Sequence, residues 1–199
     1  MDFKEHFERA WQAMMGNFAP VLVNTLVMVA VSIISLGFLA PVVSAGYMQS
    51  LLLVLRENRK PDIKDLFVYM DLFFPLLGFT ALFVTVVCIG LLLLLLPGIA
   101  VLLAGTFFLV YMLPLMTDRK MGLIKAVKES SRMALEQPVG EHIAVVAVLI
   151  ILNSIGSSVV FGALLTHPYA CFFILSVYEA KQRRQITGPG SNPPPPPKE

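Results

Sequence analysis

Residues 72–117 read LFFPLLGFTALFVTVVCIGLLLLLLPGIAVLLAGTFFLVYMLPLMT, 46 positions without one charged side chain. An α-helix rises about 1.5 Å per residue and needs about 20 residues to cross the hydrocarbon core of a bilayer. The stretch is long enough for two crossings, from Leu72 to Leu96 and from Ile99 to Met116, with Pro97-Gly98 as the breaker between them. The same reading extends outward in both directions. Residues 10–55 form a second charge-free run of 46 positions, and residues 142–178 a third of 37. All 15 Lys and Arg and all 13 Asp and Glu fall in four blocks: Asp2 to Arg9, Arg56 to Asp71, Asp118 to Glu141 and Glu179 to Glu199. Each run therefore predicts a hairpin that enters a membrane from one face and returns to it. The expected fold is an all-α membrane protein with six transmembrane helices.

A hydrophobic content of 57% with only 14% charge excludes an ordinary soluble domain. The positive-inside rule assigns the face that carries every Lys and Arg to the cytoplasm, with both termini there. The acids share that face, so it is mixed in charge and offers no strong nucleic-acid patch. MDFKEHFERAW lacks the basic n-region of a secretory signal, and the first crossing is expected to stay as an anchor. Cys88 and Cys171 both fall inside expected spans and read as small apolar residues.

In the first hairpin the crossings are residues 18–38 and 41–55, turning at Gly37 to Pro41. In the third they are Ile143 to Leu164 and Tyr169 to Tyr178, turning at Thr166-His167-Pro168. A charged stretch of helical period precedes each hairpin. The first places Phe3, Phe7, Trp11, Met14 and Phe18 on one face, with Phe7, Trp11 and Phe18 as interfacial anchors. The second starts at Asp62 as cap, with Ile63, Phe67, Met70 and Phe74 as its apolar face. The third sets Leu123, Val127, Ser130 and Ala134 against Lys125, Lys128, Glu129 and Arg132. Such helices either lie at the membrane interface or dock on the ends of their own spans. The unit of interfacial helix plus hairpin recurs as about 1–56, 57–118 and 119–184. The first and third units match at seven of 37 positions between Val21 and Glu57 at an offset of 122, including Ser32/Ser154, Tyr47/Tyr169 and Glu57/Glu179. This predicts a parallel internal repeat over a bundle of residues 1–184. Residues 185–199, with prolines from Pro193 to Pro197, form a disordered Pro-rich tail.

No catalytic motif, phosphate loop or clustered Cys and His is present, so neither an enzyme nor a cofactor or metal site is expected. His6 and His142 sit at the cytoplasmic boundary and His167 in a far-side turn. The spans contain no Asp, Glu, Lys or Arg of the kind that couples transport to ions. Their polarity gathers in Ser32, Ser35, Asn153, Ser154, Ser157 and Ser158, read as interhelical packing contacts or as the lining of a small polar path.

Leu96-Pro97-Gly98-Ile99, Leu113-Pro114-Leu115, Asp118, Met121-Gly122 and Ala126-x-x-x-Ser130 resemble the integral membrane domain that accompanies some bacterial glycerophosphoryl diester phosphodiesterases. They also resemble related uncharacterised bacterial membrane proteins. Where those families place Trp after the Ala-x-x-x-Ser helix, this chain has Ser131, while the first unit keeps Ala10-Trp11. The resemblance implies a six-span protein of the bacterial inner membrane without an assigned reaction. The expected role is a non-enzymatic, membrane-embedded interaction or accessory module with protein partners at its cytoplasmic face. The alternative is a small transporter or channel-like protein for a lipid or small neutral solute, with the first and fifth spans lining its path.

Overall fold

A computed structural model describes residues 3–93, 95–136, 138–157 and 162–187, and every regular element among them is helical. Helices α1 (Phe3–Gly16) and α2 (Phe18–Ile34) meet at 88°, so the amphipathic opening segment lies across the end of the first apolar one. α2 stops at a left-handed turn. Leu36 has φ 52° and Gly37 φ 85°, and the Gly37 amide donates to Ser32 O at 2.7 Å. The Leu39 amide donates to Ser35 Oγ at 3.2 Å, and Pro41 follows in the first turn of α3 (Ala40–Glu57), where a missing amide is harmless. Asn58, at φ 50°, ends α3 by donating its amide to Val54 O.

Asp62 then opens a pair of 3-10 helices, Ile63–Phe67 and Met70–Leu72, in place of the expected amphipathic helix. The Asp62 carboxylate accepts from the Lys64 amide, and Asp65 accepts from the Asp62 amide. At three residues per turn the inward position passes to Leu66, which is fully buried. Ile63, Phe67, Met70 and Phe74, the expected apolar face, are exposed.

α4 (Phe73–Leu93) and α5 (Leu95–Leu109) run antiparallel, with Gly90 against Gly98 and Phe83 against Gly105. Pro97-Gly98 is not the break, since α5 already includes both residues. Pro97 instead occupies the first turn of α5, and Gly98 packs against Leu91 where a Cβ would collide. α5 breaks before α6 (Met112–Thr117), because Pro114 has no amide to donate to the Val110 carbonyl. Ser130 fills the gap: its hydroxyl donates to Phe108 O at 2.6 Å and accepts from the Tyr111 amide at 3.2 Å. Ser130 lies on α7 (Leu123–Leu135), which is followed by α8 (Val139–Ser157) and α9 (Gly162–Thr187).

The turn expected at Thr166-His167-Pro168 is not there, since α9 runs through all three residues and carries Pro168 in its interior. Thr166 Oγ1 donates to Gly162 O at 3.0 Å, one turn back. Pro168 has no amide to donate to the Leu164 carbonyl, and the Thr166 hydrogen bond serves Gly162 O instead. The third return is thus a 26-residue helix, far longer than the segment from Tyr169 to Tyr178. Residues 185–187 of the expected tail close α9, and residues 188–199 lie outside the described ones.

α3 is the central element and is buried on nearly every side, through Val42, Val43, Ala45, Tyr47, Leu51 and Leu52. Its core partners are Leu115 and Met116 of α6 and Phe172, Phe173 and Tyr178 of α9. This core runs along α3 from Val42 to Val54, and the end of the molecule that carries the charged blocks is here called the base. The opposite half is open and apolar, with Ile34, Leu36, Leu92, Leu93 and Leu96 pointing outward. Two helical segments, Ile63–Leu93 and Val139–Gly156, are long and apolar enough to cross a membrane. A third crossing is added if the bent pair of α1 and α2 counts as one span. An apolar surface of this extent is covered by lipid or protein rather than water.

Candidate functional site

Among the described residues of the polar cluster read from the sequence, Ser32, Asn153 and Ser154 each donate back to their own helix. Ser32 Oγ donates to Met28 O at 2.8 Å, Asn153 Nδ2 to Leu149 O at 2.9 Å and Ser154 Oγ to Ile150 O at 2.8 Å. Each satisfies a carbonyl one turn earlier. Ser35 holds the α2–α3 turn instead. The Ser157 side chain and Ser158 lie outside the described residues. The residues that share space with Asn153 are Thr25 and Met28, not Ser32 or Ser35.

That space is a cavity of about 360 Å³ between α2, α8 and α9, whose lining includes Thr25, Met28, Asn153, Gly156, Thr166 and His167. Most of its wall is carbon, with polar atoms gathered where the three helices approach. Gly156 makes the approach possible, because a Cβ there would run into Thr166 Oγ1. Thr25 Oγ1 donates to Val21 O at 2.8 Å and lies 2.7 Å from Tyr47 OH. The buried Tyr47 ring stacks on His167 at 5.8 Å, and His167 Nε2 lies 3.8 Å from Cys171 Sγ. Thr25, Tyr47, His167 and Cys171 thus form one polar line through the apolar bundle. Asn153 also lines a second cavity, of about 410 Å³, with Leu102, Gly105 and Thr106 of α5.

The base holds the second concentration of chemistry. Arg56, at the end of α3, donates Nε to Glu179 at 2.8 Å and clamps Asp118 with Nη1 at 2.5 Å and Nη2 at 3.0 Å. Arg9 reaches Glu179 from α1 at 2.5 Å, while Tyr178 OH and Gln182 Nε2 donate to Asp118 at 3.2 Å and 3.4 Å. Glu179 is only 4% exposed, so its charge depends on the two guanidinium groups. Nearby, the buried Lys181 donates to Met133 O at 2.5 Å in the last turn of α7. Burial lowers the pKa of Lys181, with Glu136 and Glu141 opposing.

The aromatic anchors divide between docking and exposure. Phe7 packs 4.8 Å from Phe173, and its carbonyl accepts from Tyr169 OH at 3.3 Å. Trp11 meets Tyr169 edge-on at 6.2 Å yet is 54% exposed, and Phe18 is exposed too. One face of α1 is therefore seated on α9 while Trp11 and Phe18 face outward. His6 is buried in that seat, 2.7 Å from Ser176 Oγ. Its pKa lies below the ordinary 6.5 because burial disfavours the imidazolium, with Arg9 and Arg184 adding to the effect and Glu5 opposing it. The unfolded chain therefore binds a proton more readily than the folded one, and His6 costs stability as pH falls through 6.5 and below. Melting in detergent at pH 8 and pH 5 should show a larger acid loss for the wild type than for His6→Gln. Equal losses would remove His6 from the pH response.

His167, Thr25 and Tyr47 went unread as a group because Pro168 made residues 166–168 look like a turn. The available signal was the four-residue spacing of His167 and Cys171, which puts both on one face of a continuous helix. The pairing of Arg56, Asp118 and Glu179 left no local pattern, each lying some 60 residues from the next. Comparison of the chain with family models, curated proteins and solved structures returns no match.

Proposed function

We propose that the chain is a six-span inner-membrane protein of three repeated hairpin units, acting as a non-enzymatic interaction or accessory module with both termini in the cytoplasm. The observation that carries this reading is the meeting of Arg56, Asp118 and Glu179. One residue comes from the end of each expected unit, so the three returns are tied together at one face. Around this clamp Lys60, Lys64, Lys125 and Lys128 remain exposed, beside the outward Ile63, Phe67 and Ile124. That mixture suits headgroups and cytoplasmic protein partners. Kinship with the membrane domain of the phosphodiesterase family is part of the same reading. Its support is that two motif residues share one local role, Ser130 bonding across the helix break that Pro114 enforces.

A second reading, a small transporter for a lipid or neutral solute, is favoured by the position of Asn153 on two cavities. Topology is tested by labelling Arg59→Cys or Lys125→Cys with an impermeant thiol reagent in a Cys88→Ser, Cys171→Ser background. Labelling is expected only after the cytoplasmic face is opened to the reagent. Reaction at either position in intact cells would overturn the orientation, and solute flux in vesicles carrying the purified chain would favour the transporter.

A further inference from the structure

The cavity beside His167 has a small stock of hydrogen-bonding groups. Thr25 Oγ1 donates to Val21 O, Thr166 Oγ1 donates to Gly162 O, and Asn153 Nδ2 donates to Leu149 O. Three donors are thereby committed to helix carbonyls. Oxygen lone pairs remain on Asn153 and Thr166, the second Nδ2 hydrogen of Asn153 is a further donor, and His167 donates or accepts according to its tautomer. A molecule that completes this set brings a group that both donates and accepts, as a hydroxyl does. It also has to be uncharged, because residues 10–55 and 142–178 supply no Lys, Arg, Asp or Glu at this depth. The walls are mostly apolar, and Ile155 and Leu165 point outward from the two helices that flank Gly156 and Thr166. An alkyl chain has a surface to follow from the polar end. At about 360 Å³ the space is of ligand size.

We propose that this cavity binds the free hydroxyl head of a neutral membrane lipid of the diacylglycerol class, which donates to Asn153 Oδ1 and Thr166 Oγ1 while its chains lie along α8 and α9. The proposal rests on the membrane placement of these helices but needs no transport. Phosphate-bearing lipids fit worse, since the nearest guanidinium groups lie in the base and are committed to Glu179 and Asp118.

The test uses the full chain in detergent, with thermal stabilisation titrated by dioleoylglycerol, by its methyl ether at the free hydroxyl, and by dioleoylphosphatidylglycerol. Dioleoylglycerol should stabilise the protein saturably. The methyl ether should bind about threefold to tenfold more weakly, as expected for a hydrogen bond lost in apolar surroundings. Asn153→Leu and Thr166→Val should each weaken dioleoylglycerol to a similar extent. If one of them fails to fold, the other decides. Gly156→Ala, which drives Thr166 into the space, serves as a third variant. Equal affinity for the methyl ether, unchanged binding in the variants, tighter binding of the phosphate lipid, or no binding of dioleoylglycerol would each overturn the assignment. Alkaline carbonate extraction of cell membranes separates the two levels. Release of the chain would sink the membrane placement itself, whereas retention without hydroxyl dependence would sink only the lipid.

Discussion

Arg56→Leu should lower the melting temperature of the detergent-solubilised protein by roughly 6–12 °C, at about 2–4 °C per kcal/mol for a chain of this size. The substitution removes a bidentate contact to Asp118 and a third hydrogen bond to Glu179. Glu179 keeps Arg9, and Asp118 keeps Tyr178 and Gln182, so neither carboxylate is wholly abandoned. Stranding a buried charge costs about 3–5 kcal/mol. The Arg56 side chain is 32% exposed, which allows water to screen part of that and brings the expectation to about 3 kcal/mol. Two further variants separate charge from packing. Arg56→Lys should recover only part of the loss, because an ammonium cannot hold Asp118 with two parallel hydrogen bonds and still reach Glu179. Arg56→Leu combined with Asp118→Asn should be more stable than Arg56→Leu alone, since it removes the charge that lost its guanidinium while Glu179 keeps Arg9. A melting point within about 2 °C of wild type for Arg56→Leu would mean that the clamp contributes little.

The arithmetic of charge-free runs located α2 and α3 well, because length and charge constrain a whole segment at once. α2 starts at Phe18, where the first crossing was expected, and α3 covers Ala40–Glu57 against an expected 41–55. Local punctuation was less informative. Pro97-Gly98 and Thr166-His167-Pro168 both carry turn residues, yet both lie inside helices. Proline is tolerated in the first turn of a helix and in apolar helices, and glycine there also serves the close approach of helices. Gly90, Gly98, Gly105 and Gly156 all meet a neighbouring side chain or backbone that a Cβ would strike. The candidate site shows the same division. Which residues are polar was plain from the sequence, but their partners were not. Ser32 and Ser35 serve α2 and its turn, while Thr25, Tyr47 and His167 come together only through helix packing.

Gly46→Leu should detach the 3-10 segment that follows α3, with a loss of about 3 kcal/mol or more. A Cβ at Gly46 would lie 2.5 Å from Asp65 O and 2.6 Å from Leu66 O, and both are backbone atoms that cannot rotate away. Gly46→Ala gains about 1 kcal/mol of helix propensity but meets the same carbonyls, so it should still be a net loss. Gly78, inside α4 with open space where its Cβ would stand, supplies the control: Gly78→Ala should be neutral or stabilising. The damage at Gly46 should also be local. Leu66 would leave its fully buried position, and the Ser50 Oγ to Asp65 hydrogen bond of 2.7 Å would be lost. Limited trypsin digestion in detergent should then cut after Lys64 much faster in Gly46→Leu than in wild type, because the site must leave its 3-10 turn to enter a protease. If cutting and melting both match the wild type, the close approach of α3 to Leu66 does not hold that segment.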